Sequence, residues 1–249
     1  MHRFYLSPME CSKAGPLTLA GREAHHALHV LRVRKSDKIS ILDGAGREFL
    51  CAVENFDRDK IQLAVVETKM VPAPPFPVTL LQAVPKGKII ESIIQKATEL
   101  GVARIVPLLT ERVVMDLDDK HAALKAEKWQ QVAIEAIKQC GAAWLPRVES
   151  PVTPKEFLAR IEKFDLPLIA SLQPGAQHPR KYFMEFQSQH NRKPQSACVW
   201  VGPEGDFTAE EVAAITSAGA LPITLGNLVL RVETAATYCV SILNYELTA

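Results

Sequence analysis

The apolar pattern changes its period part-way along the chain, and the change divides it. Lys38–Leu42, Phe49–Glu54 and Lys60–Glu67 are short, β-branched or alternating, and turn residues separate them at Asp43-Gly44-Ala45-Gly46 and Asn55-Phe56-Asp57-Arg58-Asp59. This predicts antiparallel strands, whose edges a small β-barrel would close. Ahead of them Ala24, Leu28 and Leu31 recur at helical spacing and predict one helix over His25–Val33. Residues 71–77 then carry four prolines in seven positions, which excludes a central strand or a helix interior and favours a stiff connector. Two units are expected, 1–71 and 78–249.

Past the connector, strand and helix patterns alternate. Val78–Val84 reads as a strand, Lys88–Leu100 as a helix with Ile89, Ile90, Ile93, Ile94, Ala97 and Leu100 on one face, stopped by Gly101. Ala103–Leu109 is a strand, Lys120–Cys140 a long helix ending at Gly141, and Leu166–Ser171 and Ala197–Val201 are strands. Thr208 and Glu211 form a capping box opening a helix to Ala218, and Ile223–Leu225 leads into a last helix, Thr234–Leu247. The fold class is therefore α/β, a largely parallel sheet with helices on both faces.

Composition narrows the setting. Among 249 residues, 47% hydrophobic and 23% charged is ordinary for a soluble globular protein. No apolar run reaches the length of a membrane span and the N-terminus lacks the apolar core of a signal peptide, so a cytoplasmic protein is expected. Cys11, Cys51, Cys140, Cys198 and Cys239 stand singly, without metal-ligand spacing, and read as reduced thiols; no metal is expected. A net charge of +1 excludes a strongly basic coat but not a local patch.

Candidate chemistry concentrates in two loops, 201–208 and 225–235, each between a strand and a helix at the edge where open α/β sheets bind ligands. In Gly202-Pro203-Glu204-Gly205 the glycines allow close backbone approach, and Glu204 stands where a strand edge would expose it. Neither Gly-x-Gly-x-x-Gly after a strand nor Gly-x-x-x-x-Gly-Lys-Ser/Thr occurs, which disfavours a dinucleotide or a nucleoside triphosphate. An adenosine-containing ligand without phosphates would suit backbone groups and apolar walls. Arg231 and Glu233 open the last helix, where they could pair, cap or act on a substrate.

The Gly202-Pro-Glu-Gly loop with Phe207, Thr208 and Glu211, the Leu225-Gly-x-x-Val-Leu-Arg-x-Glu-Thr-Ala segment, and Ile94-Gln-Lys-Ala-Thr-Glu-Leu-Gly-Val together resemble the ribosomal RNA uridine methyltransferases of the small subunit, members of the SPOUT class. Arg3-Phe4, His26, Val30-Leu31-Arg32 and Asp37 resemble that family's PUA-like β-barrel, so the likeness spans nearly the whole chain. It implies a C-terminal trefoil knot, which strand alternation alone would not suggest. It also implies methylation of the uridine ring nitrogen between the two carbonyls, with S-adenosylmethionine as donor. By position the donor would be held by Ser171, Leu172, Gly202, Pro203, Glu204, Gly205, Leu225, Gly226 and Leu230. Partners would be ribosomal RNA or the small ribosomal subunit, and a second copy in a homodimer.

The reaction needs an acceptor aligned with the methyl group and help in removing an imide proton. Arg231 could stabilise charge on a uracil carbonyl oxygen, and Glu233 or Glu204 could hold the base or take its proton. For RNA, Arg3, His26, Arg32, Arg34 and Lys35 near the barrel, with Lys86 and Arg112 in the second unit, are the candidate contacts. Three positions depart from the family pattern. Ala142 and Leu228 stand where arginines are usual, and Asp206 where a second glycine is usual. These departures keep open an RNA-binding homologue with a different methylation target or none.

Overall fold

A computed structural model describes residues 1–112 and 119–248, which form two compact units. The first comprises Met1–Ala73 together with Ile134–Leu145, and the second Pro74–Ala133 with Pro146–Ala249.

In the first unit β1 (His2–Tyr5), β2 (Leu17–Ala20), β3 (Lys38–Leu42), β4 (Arg47–Phe56) and β5 (Lys60–Met70) form one sheet ordered β1-β3-β4-β5-β2. Only the β1–β3 pair is parallel. Phe4, Leu19, Ile39, Ile41, Cys51, Val53, Ile61 and Leu63 from all five strands pack into one core with Ala24, Ala27 and Val33. The helical segment starts earlier than the periodicity indicates. α2 (Gly21–His25), which follows the short α1 (Pro8–Cys11), runs into one π turn, His26–Val30, and Arg32 at φ 54° ends it. The added residue per turn shifts the face that 3.6-residue spacing assigns.

Residues 134–145 join this unit through bonds to its backbone. Gly46 N–H donates to Ala143 C=O, Leu145 N–H to Gly44 C=O, and the Trp144 indole to the Val71 and Pro72 carbonyls at 3.1 and 3.0 Å. Gly46, at φ +95°, is needed here, because a Cβ would lie 2.7 Å from the Trp144 ring. Lys138, with its side chain 7% exposed, pairs with Glu23 at 2.7 Å and Glu135 at 3.0 Å.

In the second unit β6 (Val78–Ala83), β7 (Arg104–Leu108), β8 (Arg147–Val148), β9 (Leu166–Ala170), β10 (Ala197–Val201) and β11 (Leu221–Ile223) are all parallel, in the order β11-β9-β10-β6-β7-β8. One face carries Leu81, Ala83, Val106, Leu108, Ile169, Cys198 and Trp200 against Phe157 of α5 (Pro154–Leu158) and Ile215 of α7 (Ala209–Ser217). Trp200 meets Phe157 and Phe207 edge to face at 5.3 and 6.5 Å. α8 (Val232–Thr248) packs on β6, β10 and α3 (Ile89–Glu99). Gly101 at φ +78° stops α3, and the Thr208–Glu211 capping box opens α7, as their residues predict.

Two parts of the sequence reading change. The last strand is Leu221–Ile223, not Ile223–Leu225: Pro222 is tolerated because β11 is an edge strand, and Thr224 already belongs to the next turn. A helix the periodicity missed, α6 (Pro179–His190), lies between β9 and β10; its buried face rests on little more than Pro179, Phe183 and Phe186. The long helix is α4 (Asp119–Cys140).

Burial pushes the Cys51 thiol up to about 11 and those of Cys198 and Cys239 to about 12, while Cys140 is exposed. The reactive thiolate is therefore scarce at the three buried sites. Native alkylation with iodoacetamide near pH 8, followed by mass spectrometry, should modify Cys140 first and leave Cys198 and Cys239 to unfolded protein. Rapid native labelling of Cys198 would contradict its place in the core.

Candidate active site

Because every strand of the second sheet runs the same way, the loops after β9, β10 and β11 leave one edge together. β10 ends at Val201 and the chain turns at once, Asp206 N–H donating to Pro203 C=O at 3.0 Å. Asp206 takes φ 61°, a left-handed conformation that aspartate tolerates when its side chain bonds locally. Here Oδ1 accepts from Phe207 N–H at 2.8 Å. That oxygen lies over Gly202, where a Cβ would stand 2.9 Å from it, so a side chain at 202 would displace the Asp206 carboxylate from this bond. The turn is pinned at two points. Lys86 N–H donates to Glu204 Oε1 at 3.1 Å, and the Arg112 guanidinium donates to the Gly205 carbonyl and, at 3.5 Å, to the Asp206 carbonyl.

The loop after β9 is laced to β11 and the residue that follows it. Ser171 N–H donates to Ile223 C=O, Gln177 N–H to Pro222 C=O and Thr224 N–H to Gln177 C=O, each at 3.0 Å. Ser171 Oγ accepts from Gln173 N–H at 3.1 Å. After β11 the Thr224 hydroxyl accepts from Gly226 N–H and donates to Gly226 C=O, with Gly226 at φ 112°.

The three loops line a cavity of about 450 Å³. Ser171, Leu172, Gly202, Pro203, Glu204, Leu225, Gly226 and Leu230 border it, as do Arg231 and Glu233. Gly205 does not; with Arg112, Gln173 and Phe207 it borders an adjacent cavity that shares Leu172 and Asp206. Sequence reasoning missed Ile89, Ala170, Val201, Asp206, Val232 and Ala235 as lining residues. For Ala235, four residues past Arg231, the helical spacing was an available signal; Ile89 carries none that separates it from the rest of its apolar face. Arg231 is exposed and Glu233 half-buried, and neither side chain has a hydrogen bond or ion pair among the described residues.

The candidate RNA contacts fall in different roles. Arg3 donates to the Gln139 carbonyl at 3.1 Å and lies against Gly141, so it serves the C-terminal end of α4, where a cation is favoured. His26 packs edge to face on Phe4 at 6.2 Å. Arg32, Arg34 and Lys35 share the exposed loop before β3, with Arg34 N–H bonded to Asp37 at 2.7 Å. The Lys86 side chain is exposed, whereas Arg112 is engaged with the 202–206 turn.

Among known proteins, residues 72–244 match the model of the RNA methyltransferase domain, and residues 19–66 that of the RNA methyltransferase PUA domain. The chain belongs to this RNA methyltransferase family. The ribosomal RNA small subunit methyltransferase E of Bacillus subtilis is 32% identical over 99% of this chain and 97% of its own length. The same enzyme of Neisseria gonorrhoeae, solved bound to S-adenosyl methionine, superposes with a TM-score of 0.83 at 27% identity, covering 98% of this chain and 96% of that one. A Legionella pneumophila chain solved with the cofactor SAM gives 0.85 at 31% identity, over 98% and 96% of the two chains.

Arg112→Ala in this RNA methyltransferase should release the 202–206 turn. Hydrogen exchange at the bonded Asp206 and Phe207 amides is expected to rise by about tenfold, the effect of losing roughly one charge-assisted bond. Unchanged exchange there would show that the guanidinium does not hold the turn.

Proposed function

We propose that the protein transfers a methyl group from S-adenosylmethionine to the ring nitrogen between the two carbonyls of a uridine in small-subunit ribosomal RNA, in the cytoplasm. The observation that carries this is the cavity at the loop edge, in which the Arg231 and Glu233 side chains stand beside the Gly202 turn without a hydrogen bond or ion pair among the described residues. The residues present fit the donor. A cavity of about 450 Å³ lies within the range of small-molecule sites; leucine, valine and alanine with backbone groups of glycine turns suit an uncharged adenosine, and the charged Glu204, Asp206, Arg231 and Glu233 on the same lining suit the charged end of the donor and the acceptor. Family membership and the S-adenosyl methionine bound by the Neisseria gonorrhoeae enzyme support the same donor.

Bound there, the donor supplies an electrophilic methyl group on a cationic sulfur, which leaves as a neutral thioether with the bonding electron pair. The nitrogen–carbon bond forms as the sulfur–carbon bond breaks, and the imide proton must go to a base. Glu233 is the better base, because Glu204 already accepts from Lys86 N–H. Arg231 stabilises charge developing on a uracil carbonyl oxygen. Asp206 keeps the left-handed turn that glycine would otherwise supply, so this departure from the family pattern leaves the turn's shape intact and supports a catalytic reading over a purely RNA-binding one.

The exposed loop with Arg32, Arg34 and Lys35 is the RNA contact best supported in the first unit. A trefoil knot is inferred from the return of the chain from edge strand β11 to α8 on β6 and β10. A homodimer is inferred from apolar surface in the second unit: Leu228 is 77%, Val229 80% and Tyr245 72% exposed. Light scattering is expected to return twice the chain mass; a monomer would remove this part of the proposal.

Arg231→Ala should lower methyl transfer by about 10²–10³-fold while calorimetry still detects donor binding. The companion measurement is mass mapping of small-subunit ribosomal RNA from cells lacking the gene, in which one methylated uridine should disappear. Full turnover by the variant would remove Arg231 from the mechanism, and an unaltered RNA map would refute the assigned substrate.

A further inference from the structure

We infer that Asp206 makes the cavity prefer the cationic donor over its uncharged thioether product, an inference that rests on assigning the cavity to S-adenosylmethionine. Donor and product share the adenosine and the amino-acid end and differ only at sulfur, where transfer removes a methyl group and a positive charge. Apolar walls and backbone groups cannot separate two such ligands by more than the contacts of one methyl group. A fixed charge can.

The cavity is lined by three carboxylates, Glu204, Asp206 and Glu233, and one guanidinium, Arg231. Each carboxylate has a different employment. Glu204 accepts from Lys86 N–H, and Glu233 is the assigned base. Asp206 uses Oδ1 for Phe207 N–H, and its second oxygen has no hydrogen bond or ion pair among the described residues. Arg112 makes no ion pair with it among the described residues; that guanidinium bonds the backbone carbonyls of Gly205 and Asp206.

Asp206 also stands between the main cavity and its neighbour, bordering both, and holds φ 61° where glycine would fit at less strain. The carboxylate, one oxygen held by the Phe207 amide, is thus placed at the cavity wall, and charges act on one another through solvent over about 8 Å at physiological salt. Direct contact with the sulfur is not required. Loss of the positive charge on methyl transfer then removes part of the attraction, which favours release of the product.

Calorimetric titration of the full chain with S-adenosylmethionine and with S-adenosylhomocysteine, at low and high salt, tests this. In Asp206→Asn donor affinity should fall by about fivefold, the upper range for a partly exposed charge pair, while product affinity is unchanged. The difference should shrink at high salt. Asp206→Gly removes the charge and relieves the backbone, so an equal loss of donor preference in both variants assigns the effect to charge rather than to conformation. Equal changes for both ligands, or none, would overturn the inference. Wild-type protein that binds neither ligand would instead overturn the assignment of the cavity.

Discussion

The parallel pairing of β6 with β10 is the constraint on which the rest of the second unit depends. Register sets Leu81 beside Trp200 and Gln82 beside Val201, so both strands end together and the loops that follow start as neighbours. Only with that register does the Lys86 amide reach Glu204. Trp200, wedged against Phe157 and Phe207, fixes the strand beneath the turn. The position of the Gly202 turn is therefore a property of the core, and a packing defect at Trp200 would be felt at the cavity.

Much of this was legible in the residues. α3 and α7 combine helical spacing with explicit ends, Gly101 in one case and Thr208 with Glu211 in the other, so periodicity and capping agree. The loops at 201–208 and 225–235 were recognisable because glycine and proline interrupt apolar strands just before helices. Other elements lacked such agreement. β1 and β2 are four residues each and edge strands, too short for alternation to stand out. The π turn breaks the period by which helices are read.

Arg3 and Arg112 illustrate a different limit. A cation in sequence announces only a charge; whether it meets phosphate or an orphaned carbonyl depends on which backbone groups the fold leaves open. α4 exposes its last carbonyls to Arg3, and the Gly205 turn exposes one to Arg112. Both requirements are created by tertiary structure. Arg32, Arg34 and Lys35 sit in a loop whose local bond is made by the Arg34 backbone, so their charges stay in solvent.

The proline connector suggests that the first unit is complete when the chain reaches it, yet Gly44, Gly46, Val71 and Pro72 take their backbone partners from residues 143–145. A unit discontinuous in sequence has a schedule imposed on it. On a ribosome, with the chain emerging in sequence order, the five strands are available early but the unit's final segment arrives only after Pro74–Ala133 of the second unit. In this protein the first unit is interrupted before it is complete, and it closes only when part of the second has already been made.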